Sequence, residues 1–435
     1  MLLLAPSCTV TGIAQTPAAQ KVIALDEAIR LAEVNEPSFL ALAAESRVAA
    51  LERKDAKAAL LPSVTAHNQF LYTESNKTNS STTQGGVNQS LPVFIANNAV
   101  HEYVNQASVN ETLGLAGIAA VRIANANAAR AKAELEIARR GLVSTVVQIF
   151  YSVLSGKEKL AVAQRALDEA NRFLDITQKR ESGRESAHAD VLKARLGQLQ
   201  RQRELADAAL ANEKAGLELG VLLYADPSTK VELAEEPLPA MLPERGSIEI
   251  AAKANNPEIR SALASVQASQ AQTLTSWAGL LPDVALNYTY GIDAPQFASN
   301  GPDGSRNLGY SASATVDLPI WDWLTSERKV KESRIRAQAS KIALTAAQRR
   351  LLANLAEYYN EADVARLQLA SLDQTVTDSQ ESLRLTNLRY VNGESSVLEV
   401  VDAQNTVASA ENAQADGMIR YHVALAQLET LTGRL

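Results

Sequence analysis

The sequence predicts a mainly α-helical fold with a small β part, built from a duplicated helix-strand-strand-long helix-turn-helix unit. Three observations predict it: proline-marked motifs that recur in both halves, very long stretches without proline or glycine, and short alternating apolar and polar stretches. Hydrophobic residues, many of them alanine, make up 46% of the 435 residues, and aromatic residues only 5%. This composition suits closely packed long helices better than a thick globular core.

The first element is a signal-like segment over residues 1–20, which is short, apolar and rich in small residues. Cleavage near Ala14 would remove Cys8, the single cysteine, and would leave no thiol for disulfides or metal binding. The alternative is a lipidated Cys8, although the residues at positions 5–7 fit that pattern poorly. The sequence contains no later run of 18 apolar residues, so no membrane-spanning helix is predicted. A secreted chain could still cross a membrane as strands.

The two halves then follow one plan. Pro37 and Pro62 stand 25 residues apart, as do Pro257 and Pro282, and each second proline ends the motif LLP before an alternating stretch. A segment rich in proline and turn residues separates the halves. The predicted organisation is a first repeat over residues 21–222, a linker over 223–247 and a second repeat over 248–435.

Long helices dominate each repeat. Residues 322–391 contain neither proline nor glycine, and 70 helical residues reach about 105 Å. Apolar and small residues recur in them at steps of three and four, as at Leu369, Leu372 and Val376. Such seams pack helices side by side in coiled-coil fashion. An ordinary extended coiled coil is the alternative that the helices alone leave open.

The alternating stretches argue against that alternative. Two of them lie in the second repeat (LPDVALNYTYGID and NLGYSASATVDLPIW), and two less regular ones lie in the first (PSVTAHNQFLYT and TQGGVNQSLPV). Each is about ten residues, the length of a tilted membrane-crossing strand, although a soluble sheet with one wet face gives the same alternation. Four strands cannot close a barrel, so a membrane location would require several chains to share one. The residues predicted to form an aromatic girdle at the lipid interface are Tyr288, Tyr290, Tyr310, Trp321 and Trp323.

From about Leu25 to Leu435 the chain resembles the TolC-type outer-membrane efflux proteins (outer membrane factors). The motifs are the paired NEP…LLP and NNP…LLP units, LPIWDW before the long helix, and LRYVNGESSVLEVVDAQNTVASAE near the end. The resemblance implies a homotrimer in which a trimeric α-helical barrel in the periplasm continues into a 12-stranded outer-membrane β-barrel. It implies passive export as the channel of a tripartite efflux or type I secretion system. The implied partners are outer-membrane lipid, a periplasmic adaptor (membrane fusion) protein, and an inner-membrane efflux pump or ABC exporter.

The resemblance also implies a pore constriction at Glu399 and Asp402, just after the second helical turn. Their spacing of three places both on one helical face, and three chains would form carboxylate rings that favour cations. A basic residue that latches the turn in a relative is replaced here by Ser395. The alternative is local: acidic residues suit the first turns of a helix, and Ser395 or Ser396 suits an N-cap.

The turns themselves are the implied docking tips for the adaptor. We expect Gly183 and Gly393 to take left-handed backbone conformations there, and the neighbouring side chains to be exposed, with plain solvated loops as the alternative. Asp190 follows Gly183 by seven residues whereas Glu399 follows Gly393 by six, so the turns are expected to be non-equivalent, without a constriction role for Asp190. The candidate docking residues are Arg180, Gly183, Arg184, Tyr390, Asn392 and Gly393.

One departure between the halves concerns length. Pro92 precedes Gly183 by 91 residues, but Pro319 precedes Gly393 by only 74. We expect the extra 17 residues, near 97–117, to form a loop or helical excursion where barrel and tunnel meet.

No enzyme or nucleic-acid site is indicated. The four histidines are scattered without ligand spacing, no catalytic or phosphate-binding motif occurs, and the net charge of −7 comes with interspersed basic residues. No cofactor or metal is therefore predicted. The main rival function is a soluble periplasmic coiled-coil adaptor or scaffold. A diffusion porin would not need helices of this length.

Overall fold

The structure, a computed structural model, describes most of the chain. The described residues are 22–72, 101–229, 231–234, 242–301, 304–318 and 320–433. The signal-like segment with Cys8 lies outside them, as does the strand predicted in TQGGVNQSLPV.

The described residues form two matched sets of four helices, of 11, 22, 68 and 36 residues in the first half and 11, 22, 67 and 36 in the second. This near-identity confirms the predicted duplication. In the first half they are α1 (Leu25–Asn35), α2 (Pro37–Ala58), α3 (Leu115–Ser182) and α4 (His188–Leu223). In the second half they are α5 (Arg245–Asn255), α6 (Pro257–Ala278), α7 (Thr325–Val391) and α8 (Val397–Thr432).

Six strands accompany the helices in the part of the chain that the structure describes. They are β1 (Val22–Ile23), β2 (Ser63–Tyr72), β3 (His101–Leu113), β4 (Glu232–Leu233), β5 (Asp283–Ala294) and β6 (Leu308–Asp317). The short β1 and β4 pair in parallel, and β2, β3, β5 and β6 form an antiparallel sheet in that order.

The chain divides into two compact units. The helical unit comprises Met1–Ala43, Leu135–Pro257 and Gln348–Leu435, and the sheet unit comprises Ala44–Glu134 and Glu258–Ala347. Within the helical unit, the main core gathers apolar residues of α1, α3 and α4 around the buried side chains of Phe150, Leu219 and Leu223. The small Ala28 and Ala32 of α1, both fully buried, let helices approach closely there.

The sheet corrects one prediction. Residues 101–113 form β3, a strand with neighbours on both sides, so the expected loop or helical excursion near 97–117 is wrong. The strand was not predicted because its alternation is weak: the polar residues Asn110, Glu111 and Thr112 occupy successive positions. Backbone pairing to β2 and β5, with side-chain bonds such as Ser108 to Thr289 at 3.1 Å, holds it in the sheet. Once residues 101–113 are assigned to β3, the long helices α3 and α7 match in length, with 68 and 67 residues. The additional 17 residues counted before Gly183 therefore do not lengthen the first long helix.

The long helices are continuous, as predicted. The 67 residues of α7 correspond to about 100 Å at 1.5 Å per residue. Within the described ranges, no helix combines the length and the apolar character needed to cross a membrane.

Candidate functional site

The two helical turns are closely equivalent. Five residues connect α3 to α4 (183–187), and five connect α7 to α8 (392–396). In each turn the second residue is left-handed: Arg184 at φ 63° and Gly393 at φ 79°. The following amide closes the turn at 2.8 Å in both cases, from Glu185 to the Arg180 carbonyl and from Glu394 to the Arg389 carbonyl. These bonds satisfy carbonyl groups at the helix ends.

This geometry corrects two expectations. Gly393 is left-handed as predicted, but Gly183 is not, because it stands one position earlier in its turn. The prediction of non-equivalent turns is also wrong. Aligned by the helix starts rather than by the glycines, Asp190 and Glu399 are both the third residue of their helix.

Glu399 completes a capping box at the start of α8. The Ser396 hydroxyl accepts a hydrogen bond from the Glu399 amide at 3.3 Å, and the Glu399 carboxylate accepts one from the Ser396 amide at 3.2 Å. The Ser395 hydroxyl donates to the same carboxylate at 2.9 Å, and Arg389 lies 3.8 Å from it. The Ser395 hydrogen bond, followed by those from Ser396, lowers the pKa of Glu399 below its ordinary value. Glu399 is therefore an ionised cap residue as well as a constriction candidate.

Asp402 differs from Glu399 in having a free carboxylate. Its side chain is exposed and makes no hydrogen bond or ion pair with any residue that the structure describes, while its backbone carbonyl accepts from Thr406 at 2.9 Å. Helix capping therefore explains why an acidic residue stands at position 399, but it does not involve the side chain of Asp402.

Tyr390 is buried rather than exposed, which makes the expectation for its side chain wrong. It retains 4% exposure in a small cluster with Phe173, whose ring centroid lies 5.0 Å away. Its hydroxyl donates to the buried Thr177 hydroxyl at 3.2 Å. Arg180 places its guanidinium 4.8 Å from the tyrosine ring centre and donates to the Tyr390 carbonyl. The cluster thus fixes the end of α7 against α3.

The other docking candidates are accessible to different degrees. Arg184, Asn392 and both turn glycines are exposed, whereas the Arg180 side chain is only 18% exposed. Neither Arg184 nor Asn392 has a side-chain polar partner in the described part of the chain. The contacts of Tyr390 with Phe173 and Thr177 of the first repeat were not predicted. Their spacing of four residues, with Arg180 three further on, was the available signal for a common helix face.

The five predicted girdle residues belong to the sheet unit and are all exposed. Tyr288 and Tyr310 stack at 6.1 Å between ring centres, and Trp321 and Trp323 meet edge-on at 5.9 Å. Tyr310, Trp321 and Trp323 each expose more than 70% of their surface. Exposure of this much aromatic surface to water is unfavourable.

Among the residues that the structure describes, no group of three or more histidine, cysteine or acidic side chains could hold a metal ion. The absence of a cofactor stays a prediction.

Comparison with known proteins identifies the family. The family model described as outer membrane efflux protein matches residues 28–223 and 251–434. The cobalt-zinc-cadmium resistance protein CzcC of Cupriavidus metallidurans is 24% identical over 81% of this chain and 84% of its own length. The outer membrane protein TolC of Vibrio cholerae is 21% identical over 94% of this chain and 91% of its own length.

The fold agrees with this match. The crystal structure of the Campylobacter jejuni CmeC outer membrane channel superposes with a TM-score of 0.80 at 14% identity, covering 99% of this chain and 94% of that one. The proteins that this chain resembles are outer-membrane efflux channels, not enzymes. Because they are outer-membrane channels, the alternative of a soluble periplasmic adaptor or scaffold is wrong. The chain belongs to the outer membrane efflux protein family and is an efflux channel of the outer membrane.

Proposed function

We propose that the protein works as a homotrimer whose three sheets close one 12-stranded barrel in the outer membrane. The observation that carries this proposal is the four-stranded sheet, in which the outer strands β2 and β6 each have an edge without a partner among the residues that the structure describes. Unpaired strand edges are too costly in lipid, and four strands are too few to close a barrel. The exposed aromatic residues of the sheet unit support the membrane location and would lie at the lipid interface.

The same proposal gives the helical units a role as a periplasmic duct. A periplasmic adaptor docks on the turns, with Arg184, Asn392 and Gly393 as exposed contacts and Arg180 as a partly exposed one. An inner-membrane efflux pump or ABC exporter supplies the energy and selects the cargo, and transport through the duct is passive. The protein itself catalyses no reaction.

We further propose that Asp402 is the principal constriction residue and that Glu399 contributes its charge. The free carboxylate of Asp402 supports this assignment, since nothing else in the described chain neutralises it. Three copies around an axis would attract cations and repel anions. Glu399 adds negative charge because its pKa is lowered, but part of that charge is screened by Arg389 at 3.8 Å.

The oligomer is tested by the mass of the detergent-solubilised protein, isolated from outer membranes. Light scattering corrected for detergent is expected to give three chains of 46.6 kDa, less any cleaved segment. A membrane-bound monomer or dimer would contradict the shared barrel.

The constriction is tested by single-channel recording in planar bilayers. Asp402→Asn is expected to lower cation selectivity or change conductance more than Glu399→Gln, which keeps a side chain able to cap the helix. Glu213→Gln is the control, because it removes an exposed carboxylate of α4 that lies far along the helix from the turn. Unchanged conductance and selectivity in Asp402→Asn would leave the constriction assignment without support.

A further inference from the structure

A half-open cavity of about 460 Å³ lies in the helical unit between α3, α7 and α8. This volume falls within the range of sites that take drug-sized molecules. Much of its wall is apolar, and the apolar lining includes Leu154 and Val162 of α3, Val376 of α7, and Met418 and Ile419 of α8. The lining residues all belong to the helical unit, and none of them lies in the two helical turns.

Two polar groups in this wall lack partners. The Ser155 hydroxyl is buried, with 7% exposure for the residue, and has no hydrogen-bond partner among the described residues. Buried polar atoms are nearly always satisfied, so an orphan in a cavity wall calls for a ligand or water. One turn further on, Glu158 also lines the cavity, and its carboxylate pairs with no residue in the described ranges.

An aromatic face completes the wall. His422 stacks on Tyr151 with 3.8 Å between ring centres and an angle of 17°. Burial lowers the pKa of His422 to about 4, so the imidazole is neutral at neutral pH. Both residues line the cavity, so its wall includes an uncharged aromatic pair.

The charges of the cavity do not cancel. Glu411 pairs with Arg165 at 3.0 Å and accepts from Gln380 at 2.8 Å. Glu158 is left as an uncompensated negative charge, beside an aromatic surface that also favours cations. Anionic ligands are disfavoured by the same arrangement.

We propose that this cavity binds a small amphipathic organic cation. The planar or apolar part of the ligand lies against Tyr151 and His422, its cationic group faces Glu158, and Ser155 gains a hydrogen-bond partner. The site is separate from the proposed constriction, and it makes the duct wall a binding surface for this class of molecule.

The test uses the full-length protein in lipid nanodiscs and ethidium, a planar organic cation whose fluorescence rises on burial. Wild type is expected to show saturable binding, and Glu158→Gln to weaken it about fivefold, the upper range for a partly exposed charge pair. Met418→Trp, which fills the cavity, is expected to abolish saturable binding. Glu213→Gln is the matched control, because Glu213 is an exposed, unpaired residue of α4 outside the cavity.

The outcomes that overturn the proposal are distinct. Wild type without saturable ethidium binding excludes the site, including the case in which a second copy covers the cavity. Equal binding by wild type and Glu158→Gln removes the cation preference, as does equally tight binding of the anion anilinonaphthalene sulfonate. Light scattering on the same samples reports the oligomer, so a failure of the trimer proposal is recognised independently.

Discussion

Replacing Arg180 with glutamine is expected to loosen the second turn without unfolding the helices. The guanidinium donates to the Tyr390 carbonyl and lies 4.8 Å from the centre of its ring. A charge-assisted hydrogen bond contributes about 1.5–3 kcal/mol, and a partly buried cation–π contact about 1 kcal/mol. Because Arg180 keeps some exposure and its pair with Glu185 spans 3.7 Å, we expect a net local loss of about 2 kcal/mol.

Hydrogen exchange measures this loss directly. The amides of Asn392, Gly393 and Glu394 bond to carbonyls of the last turn of α7 at 3.2, 3.1 and 2.8 Å. If they exchange through local opening, a loss of about 2 kcal/mol accelerates them about 30-fold. Mass spectrometry of peptides spanning 388–396 would detect such a change.

The control for this prediction is Arg184→Gln. Arg184 is an exposed arginine of the neighbouring turn without a side-chain polar partner among the described residues, so exchange at 388–396 should match wild type. Exchange in Arg180→Gln indistinguishable from wild type would refute the reasoning. Equal acceleration in both variants would do so too, since it would show a general charge effect.

The remaining predictions concern glycines and pH, and thermal unfolding of purified protein checks each. Gly393→Ala should cost about 1 kcal/mol because φ is 79°, whereas Gly183→Ala, with ordinary φ, should be nearly neutral. Gly220→Ala should cost about 2 kcal/mol or more, since the new methyl would lie 2.2 Å from the Pro227 carbonyl oxygen; Gly197→Ala, with open space on the same helix, should stabilise by up to about 1 kcal/mol. The pKa of His422 falls from 6.5 to about 4 on folding. Between these two pH values the imidazole is protonated in the unfolded state and neutral in the folded state. Stability should therefore drop as pH is lowered from 7 to 5, by about 1 kcal/mol after allowance for partial exposure, and His422→Gln should remove that drop.

Local patterns in the sequence were sufficient for the repeated architecture. The matched proline spacing, the stretch at 322–391 without helix breakers and the alternation in the second repeat predicted the duplication, the long helix α7, and strands β5 and β6. Ser396 followed three residues later by Glu399 is likewise a local signal, and the capping box is present. These features depend on neighbours within a few residues, which a sequence displays directly.

Tertiary structure decided which residues are brought together. The hydroxyl of Tyr390 donates a hydrogen bond to Thr177, 213 positions earlier. β3 is a strand because β2 and β5 flank it, not because its own alternation is strong. The equivalence of Asp190 and Glu399 likewise emerged only from the helix starts, since glycine spacing pointed the other way. Burial, strand pairing and cavities such as the one beside His422 arise from contacts between distant segments. Spacing along one helix shows which residues share a face, but not which distant segment that face meets.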